Sequence, residues 1–148
     1  MAAAPDSIKV LRLDPELPLP AYQSEGAAAF DLRSRESVEI APRTHAKVPL
    51  GVAMRLPEGH FAVLAVRSSL HKRGLMAANG VGIVDQDYCG DEDEYTAILY
   101  NFTDEPARID KGERIMQVVP LAFAQHSFEE VTSLSAASRG GFGTTGNQ

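Results

Sequence analysis

The chain has 148 residues, of which 44% are hydrophobic and 23% charged, and its formal net charge at pH 7 is −6. This composition is ordinary for a single globular domain, and the negative charge argues against a general nucleic-acid-binding protein. No apolar run approaches the ~20 residues of a membrane span, the N-terminus lacks a secretory signal pattern, and one cysteine, Cys89, excludes an internal disulfide framework. We therefore expect a cytoplasmic protein that binds neither membranes nor nucleic acid.

The first half of the chain alternates short apolar stretches with turns. Each stretch is rich in β-branched or alternating apolar residues, which favour strands. The predicted strands are residues 8–13, 26–34, 38–40, 47–56 and 61–66. Pro49 places part of the fourth strand at a sheet edge or a bulge, because proline cannot donate a hydrogen bond to a neighbouring strand. Residues 67–74 predict one or two helical turns, which Ser68 or Ser69 can cap and Gly74 can end.

Residues 79–90 combine a turn, a short apolar strand, carboxylates and an aromatic ring. Asn79-Gly80 predicts a hairpin turn, since both residues tolerate positive φ. Residues 81–84 predict a β-branched strand, and Asp85 and Tyr88 follow it. This stretch alone is typical either of one wall of a site or of a polar turn.

The second half of the chain continues the same pattern. The acidic residues 91–94 predict a solvated turn. The further strands predicted are residues 95–102, 107–109 and 114–121. Many short strands with little helix indicate an all-β sandwich or barrel with one short helix, over residues 1–132. Residues 133–148, rich in Ser, Thr and Gly, predict a flexible C-terminal arm.

Two local motifs leave alternatives open, and a third, a calcium loop, fails. Residues 141–146 match the dinucleotide pattern G-x-G-x-x-G, but without the required strand and helix around it; a phosphate-wrapping arm or a plain disordered tail remains. Residues 85–96 begin like a calcium loop, yet Thr96 stands where a glutamate is required. Arg67-Ser68-Ser69, between a strand and a helix, is typical either of an anion-binding site or of an ordinary helix N-cap.

Taken in order, five segments resemble the five motifs of the homotrimeric dUTPase family. They are A-A-F-D-L at 28–32, R-S-S-L at 67–70, N-G-V-G-I-V-D-Q-D-Y-C-G at 79–90, G-E-R-I-M-Q at 112–117 and R-G-G-F-G-T-T-G at 139–146. The resemblance implies a β jelly roll trimer with three sites at subunit interfaces. It implies hydrolysis of dUTP to dUMP and pyrophosphate with Mg²⁺, held mainly by the triphosphate oxygens.

The resemblance also implies roles for individual residues. Asp85 is the expected general base for the water that attacks the α-phosphorus, and Tyr88 is expected under the deoxyribose. Asp31 is expected to touch the metal through water, and Phe142 to stack on uracil as the arm closes. Three hairpin residues are expected at the uracil edge: Asn79, Gly82 and Val84. The residues expected at the phosphates are Arg67, Ser68, Ser69, Gln117, Arg139, Gly143 and Thr144.

Two departures from the family pattern and two rival functions accompany this interpretation. Arg139 lies two residues nearer to Phe142 than is usual, which leaves its reach to the γ-phosphate open, and the acidic segment before Tyr95 is longer than in many members. The related dCTP deaminase family shares the fold and the R-S-S-L stretch, but it carries a glutamate where this chain has Ile98. A non-catalytic nucleotide-binding module is the other alternative, and it would not need Asp85.

Overall fold

Eleven strands and one 3₁₀ helix make up the computed structural model, which describes residues 7–143. The strands are β1 (Lys9–Arg12), β2 (Phe30–Arg33), β3 (Val38–Ile40), β4 (His45–Pro49), β5 (Val52–Arg55), β6 (His60–Val66), β7 (Leu75–Ala77), β8 (Gly82–Val84), β9 (Thr96–Asn101), β10 (Ala107–Ile109) and β11 (Arg114–Ala122). The helix, Leu70–Arg73, ends at Gly74 with φ of 73°, and Ser69 precedes it without a side-chain cap. The prediction of an all-β fold with one short helix is confirmed. Within the described range, no helix is long and apolar enough to cross a membrane.

Every strand pair within residues 7–143 is antiparallel. A four-stranded sheet has the order β2-β11-β6-β8, and a three-stranded sheet has the order β4-β9-β7. Two strand pairs, β1-β5 and β10-β3, complete the fold. After β11 ends at Ala122, residues 123–143 contain neither strand nor helix.

The core lies between the sheets and follows from the alternation of side chains along each strand. In β9, every second residue is buried, beginning with Ala97, because successive side chains in a strand point to opposite faces. The largest fully buried apolar side chains include Leu32, Ile40, Val48, Leu50, Met54, Leu70, Leu75, Leu99, Ile109, Ile115 and Val118. Burial of each such side chain contributes about 1.5–3 kcal/mol, which holds the short strands together.

The single long strand predicted over residues 47–56 is wrong, because the chain breaks at Gly51. Gly51 has φ of 71°, and a Cβ there would lie 2.9 Å from Leu17 Cδ1. The break sends β4 to pair with β9 and β5 to pair with β1. Pro49 does lie on an edge strand, as predicted, since β4 forms one edge of the three-stranded sheet.

The hairpin predicted at Asn79-Gly80 is also wrong, although the tight turn exists. The Gly80 N–H donates to the Ala77 carbonyl at 3.2 Å, and Gly80 has φ of 74°. However, β7 before the turn pairs with β9, whereas β8 after it pairs with β6. The turn therefore carries the chain from the three-stranded sheet to the four-stranded sheet.

The acidic segment is only partly the solvated turn that its charges predict. Asp91 and Glu92 are exposed. The Glu94 side chain is only 17% exposed, and its carboxylate pairs with the Arg35 guanidinium at 2.8 Å. The same carboxylate accepts a hydrogen bond from the Gly51 N–H at 2.8 Å. Glu94 thus ties the end of this segment to the break between β4 and β5.

Candidate active site

A cavity of about 250 Å³ lies where the four-stranded sheet meets the three-stranded sheet. We call it the β8–β9 cavity. Its walls come from β8, from residues 96–98 of β9, and from Leu64 and Met116 behind them. The cavity is lined by five residues that the sequence predicts either at the nucleoside or as the general base: Asn79, Gly82, Val84, Asp85 and Tyr88. The structure therefore brings this part of the predicted site together.

Glycine at position 82 lets β8 approach its neighbour closely. Gly82 lies opposite Leu64 of β6, and a Cβ on Gly82 would lie 3.2 Å from the Leu64 Cβ. Real Cβ atoms rarely come so close, so a larger residue would push β8 outward. Val84, two residues on, packs against the core from the same strand. These two positions fix how closely β8 lies against β6.

Asp85 lies at the rim of the cavity, directly after β8. Its carbonyl accepts a hydrogen bond from the Tyr88 N–H at 3.1 Å, which closes a turn over residues 85–88. The carboxylate is exposed, so water can reach it. Asp87 lines a neighbouring groove, which Asp85, Gln86 and Gln125 also line. A carboxylate beside a concave, largely apolar cavity is suited to accept a proton from a water molecule.

Two tyrosines form the far wall of the cavity. The Tyr88 hydroxyl donates to the Glu94 carbonyl at 3.1 Å, and its ring lies 6.3 Å from the Tyr95 ring at an interplanar angle of 52°. Tyr95 is only 2% exposed, and burial raises its pKa to about 12. Tyr88 therefore presents a partly exposed ring to the cavity, with a rigid buried ring behind it.

Charged residues converge at a second place, on strands β2 and β11 and just beyond the end of β6. We call Asp31, Arg67, Arg114 and Gln117 the arginine cluster. Asp31 Oδ2 lies 3.3 Å from Arg67 Nε and 3.2 Å from Arg114 Nη1, and the Asp31 side chain is 13% exposed. The Gln117 amide donates to the Val66 carbonyl at 3.1 Å. Two guanidinium groups against one carboxylate leave a net positive charge, which suits an anion.

Ser68 and Ser69 follow Arg67 directly and are exposed beside the cluster. Arg114 also belongs to the arginine cluster. The sequence predicts no role for it, although it lies within the G-E-R-I-M-Q segment. A register shift between Arg114 and Met116 in the pairing with β2 sets it beside Asp31, which pairs with Gln117. No local pattern predicts that shift, because it depends on the neighbouring strand.

The cavity and the cluster are separate surfaces of the chain. Val84 lies opposite Ala62 on β6, and Arg67 follows Ala62 by five residues, or about 16 Å of extended strand. Among the described residues that line the cavity, none belongs to the arginine cluster. Within one copy, the strand that leads to the predicted base thus lies several residues along β6 from Arg67, although Met116, the neighbour of Gln117, lines the cavity.

The remaining predicted residues lie near the C-terminus. Arg139, Phe142 and Gly143 are exposed, and Phe142 and Gly143 both have positive φ, of 51° and 87°. None of them is among the described residues that line the cavity. Thr144 lies outside the described residues.

Within residues 7–143, no three His, Cys, Asp or Glu side chains are arranged to hold a metal ion. Asp31, the predicted metal contact, already faces two guanidinium groups. Mg²⁺ commonly keeps its waters and binds through one or two carboxylates together with substrate phosphates. These residues therefore fit a Mg²⁺ ion carried by phosphates and not one enclosed by protein ligands.

The family model for dUTPase matches residues 15–146. The chain is 41% identical to the deoxyuridine 5'-triphosphate nucleotidohydrolase of Streptomyces avermitilis, over 99% of this chain and 84% of that protein. It belongs to the dUTPase family.

Solved structures of dUTPases share the fold. A mutant dUTPase of Staphylococcus bacteriophage 80alpha, solved with dUpNHpp, has a TM-score of 0.82 at 23% identity, over 95% of this chain and 98% of that chain. A mutant dUTPase of the S. aureus phage phi11, solved with a structural Mg(II) ion, has a TM-score of 0.78 at 18% identity, over 88% of this chain and all of that one. At these identities the likeness concerns the fold, and it confirms the jelly-roll-like architecture.

Proposed function

We propose that this protein carries out the reaction of its family, the hydrolysis of dUTP to dUMP and pyrophosphate, with Asp85 as the general base. The reaction limits the incorporation of uracil into DNA and supplies dUMP for dTMP synthesis. The observation that carries the proposal is the position of Asp85 at the rim of a cavity that Asn79, Gly82, Val84 and Tyr88 also line. A single cysteine suits the reducing cytoplasm, where we place the enzyme.

The β8–β9 cavity is the proposed nucleoside site. The Asn79 side chain and the backbone of β8 offer donors and acceptors to the uracil edge, and Gly82 keeps the backbone of β8 close to Leu64 in the cavity wall. The Tyr88 ring would pack against the deoxyribose. Because Tyr95 and the Glu94 carbonyl hold Tyr88 in place, the ring cannot easily yield to a 2′-hydroxyl. This wall would discriminate dUTP from UTP.

The arginine cluster is the proposed phosphate-binding site. Arg67 can offer its guanidinium, and Ser68 and Ser69 their hydroxyls, to phosphate oxygens, while Gln117 contacts the region of the α-phosphate. Asp31 holds Arg67 and Arg114 in place before substrate binds, so little reorganisation is needed as charge develops. Mg²⁺ bound to the triphosphate would neutralise charge and polarise the phosphorus that water attacks. Asp31 would contact that ion through its water shell.

We further propose that the active enzyme is a homotrimer in which different copies supply the cavity and the cluster. The separation of Asp85 from Arg67 within one chain supports this arrangement, because a nucleotide must reach both surfaces. Residues 133–148 would form an arm that closes over the site, separate from the domain of residues 1–132. In that arm, Phe142 would stack on uracil, and Gly143, Thr144 and Arg139 would approach the phosphates.

Two observations weigh against the rival functions. Ile98 lines the β8–β9 cavity at the position where a dCTP deaminase would carry its glutamate. An apolar side chain there cannot act as an acid or a base. A non-catalytic binding module has no use for an exposed carboxylate at the rim of its pocket, which is where Asp85 lies.

Pyrophosphate release from purified protein, with dUTP, UTP, dTTP and dCTP as separate substrates, tests the proposal. We expect rapid release from dUTP alone, dependent on added Mg²⁺. Ammonia release from dCTP would identify a deaminase. Binding of dUTP without turnover, in the presence of Mg²⁺, would identify a binding module and contradict the proposed function.

A further inference from the structure

Gln86 is the residue after Asp85, and its side chain forms a hydrogen bond to a distant part of the chain. Its side-chain Oε1 accepts a hydrogen bond from the Gly59 N–H at 2.7 Å. Gln86 is half-buried, whereas Asp85 and Asp87 on either side are exposed. Resemblance to the family assigns Gln86 no role, and the hydrolysis described above does not use it.

Through Gly59, the loop after β8 is connected to the residue that follows β11. It lies in the turn between β5 and β6 and has φ of 72°. Its carbonyl accepts a hydrogen bond from the Phe123 N–H at 2.9 Å. Phe123 is the first residue beyond β11, so it is the root of the C-terminal segment. Its ring also meets the Phe61 ring edge-on, with centroids 6.1 Å apart.

The other hydrogen bonds of the Asp85 loop are mostly local. The Tyr88 N–H donates to the Asp85 carbonyl, and the Cys89 N–H donates to the Asp87 carbonyl. Such bonds shape the loop but do not fix it relative to the rest of the domain. The Tyr88 hydroxyl holds the far end of the loop through Glu94. At the end that carries Asp85, the pairing of β8 with β6 holds the chain as far as Val84, and the bond from Gly59 to Gln86 holds it just beyond Asp85.

We propose that Gln86 is a positioning residue for Asp85. Its bond to Gly59 fixes the height of the Asp85 carboxylate over the β8–β9 cavity, and the bond from Phe123 to Gly59 ties that loop to the root of the C-terminal segment. A displacement of about 1 Å in a catalytic group can cost up to 10²-fold in rate, so one well-placed anchor has a measurable effect. The inference rests on the proposed function, since it concerns the base of that reaction.

Substitutions at Gln86 test the anchor. Gln86→Met keeps the length of the side chain but removes the acceptor, Gln86→Ala removes both, and Gln86→Glu keeps an acceptor oxygen. Gln125→Met is the matched control, because Gln125 lines the same groove as Gln86 and is exposed. We expect kcat for dUTP to fall about tenfold in Gln86→Met and Gln86→Ala while KM changes less than about twofold. Gln86→Glu should recover most of kcat, and Gln125→Met should match the wild type.

Amide hydrogen exchange supplies a readout besides activity. The Gly59 and Phe123 amides should exchange faster in Gln86→Met than in the wild type or in Gln125→Met. Wild-type kcat in Gln86→Met, or unchanged exchange at Gly59, would overturn the inference. If the wild-type protein itself did not hydrolyse dUTP, the proposed function would fail instead, and the exchange measurement would still report on the anchor.

Discussion

The β8–β9 cavity and the arginine cluster are opposite in chemistry and in origin. The cavity is a concave surface built mainly from one continuous stretch, residues 79–98, with largely apolar walls, a few polar side chains and Asp85 at its rim. The cluster consists of three charged side chains and an amide, drawn from β2, β11 and the residue after β6. Asp31 and Arg114, which face each other there, are 83 residues apart in sequence.

This contrast matches the two halves of a nucleotide. A uracil ring needs a shaped, dry pocket, whereas a triphosphate needs cations that are already in place. The chain presents both environments: on β6, Ala62 opposite Val84 lies about 16 Å of extended strand from Arg67, whereas Leu64, which also lines the cavity, lies about 10 Å from it. A site assembled from several copies reconciles the separation with the reaction, and the predictions below test that view.

Asp85→Asn should have the largest effect. Loss of a general base commonly lowers a rate by 10²–10⁴-fold, whereas the amide has nearly the shape of the carboxylate. We expect dUTP turnover to fall within that range while the affinity for a non-hydrolysable dUTP analogue stays within about tenfold. Stopped-flow turnover and calorimetric binding measure the two quantities. More than about a tenth of the wild-type rate would exclude Asp85 as the base.

Removal of residues 138–148 should come next, because the arm is the proposed third contributor to the site. We expect a loss of activity with a nearly unchanged melting temperature, since the arm supplies no recognisable core residue. Phe142→Ala alone should lower kcat/KM by the equivalent of about 1–3 kcal/mol, the usual worth of a base-stacking contact.

Phe128→Ala is the matched control for the arm, because Phe128 is also fully exposed and lies in the same segment after β11. It should leave kcat/KM unchanged. Full activity in the truncated protein, measured by proton release from dUTP, would mean that residues 138–148 are a plain tail.

Mixed oligomers directly test the separation of the two surfaces. Asp85→Asn removes the proposed base at the cavity, and Arg67→Ala removes a cation from the arginine cluster. Each variant alone should therefore be nearly inactive. If each site takes its cavity from one copy and its cluster from another, random mixing leaves about a quarter of the sites intact. Co-refolded mixtures should therefore recover about a quarter of wild-type turnover.

The control for this experiment is the same two variants refolded separately and then combined under conditions that prevent subunit exchange. No recovery in the co-refolded sample, or a fully active monomer by sedimentation, would contradict the shared site and the trimer.

Tyr95→Phe should have the smallest effect, and it concerns stability at high pH. Burial raises the pKa of Tyr95 to about 12 in the folded state, above its usual value near 10. The unfolded chain therefore loses this proton first as the pH rises, so the stabilising effect is complete below pH 10 and is lost between about pH 10 and 12. Urea denaturation at pH 8 and pH 11 should show an extra loss of about 1 kcal/mol in the wild type relative to Tyr95→Phe. Equal losses in both proteins would contradict the assignment.

The sequence predicts the local structure well and the long-range pairing less well. The tight turn at Asn79-Gly80 follows from its residue types, but turn chemistry does not say which strands pair, and here the flanking strands belong to different sheets. Likewise, the charges of residues 91–94 predict solvation, and nothing local predicts that Glu94 meets Arg35 from 59 residues earlier.

The same limit applies to the candidate site. The residues of the β8–β9 cavity lie close together in sequence, so a single motif is enough to find them. The arginine cluster depends on β11 lying between β2 and β6, an arrangement that only the folded topology supplies. Arg114 received no role for that reason, although its segment matched a family motif.

The turn at Asn79-Gly80, which carries the chain from one sheet to the other, has a consequence for how the two sheets separate. The cavity behind this turn has walls from both sheets, with Gly82 on one side and Ala97 on the other. A nucleoside bound there would contact both sheets and would have to leave before they separate along this seam. At a concentration c, it would add RT ln(1 + c/Kd) to the free energy of opening the seam. The resistance of the two sheets to separation would therefore rise with the substrate concentration.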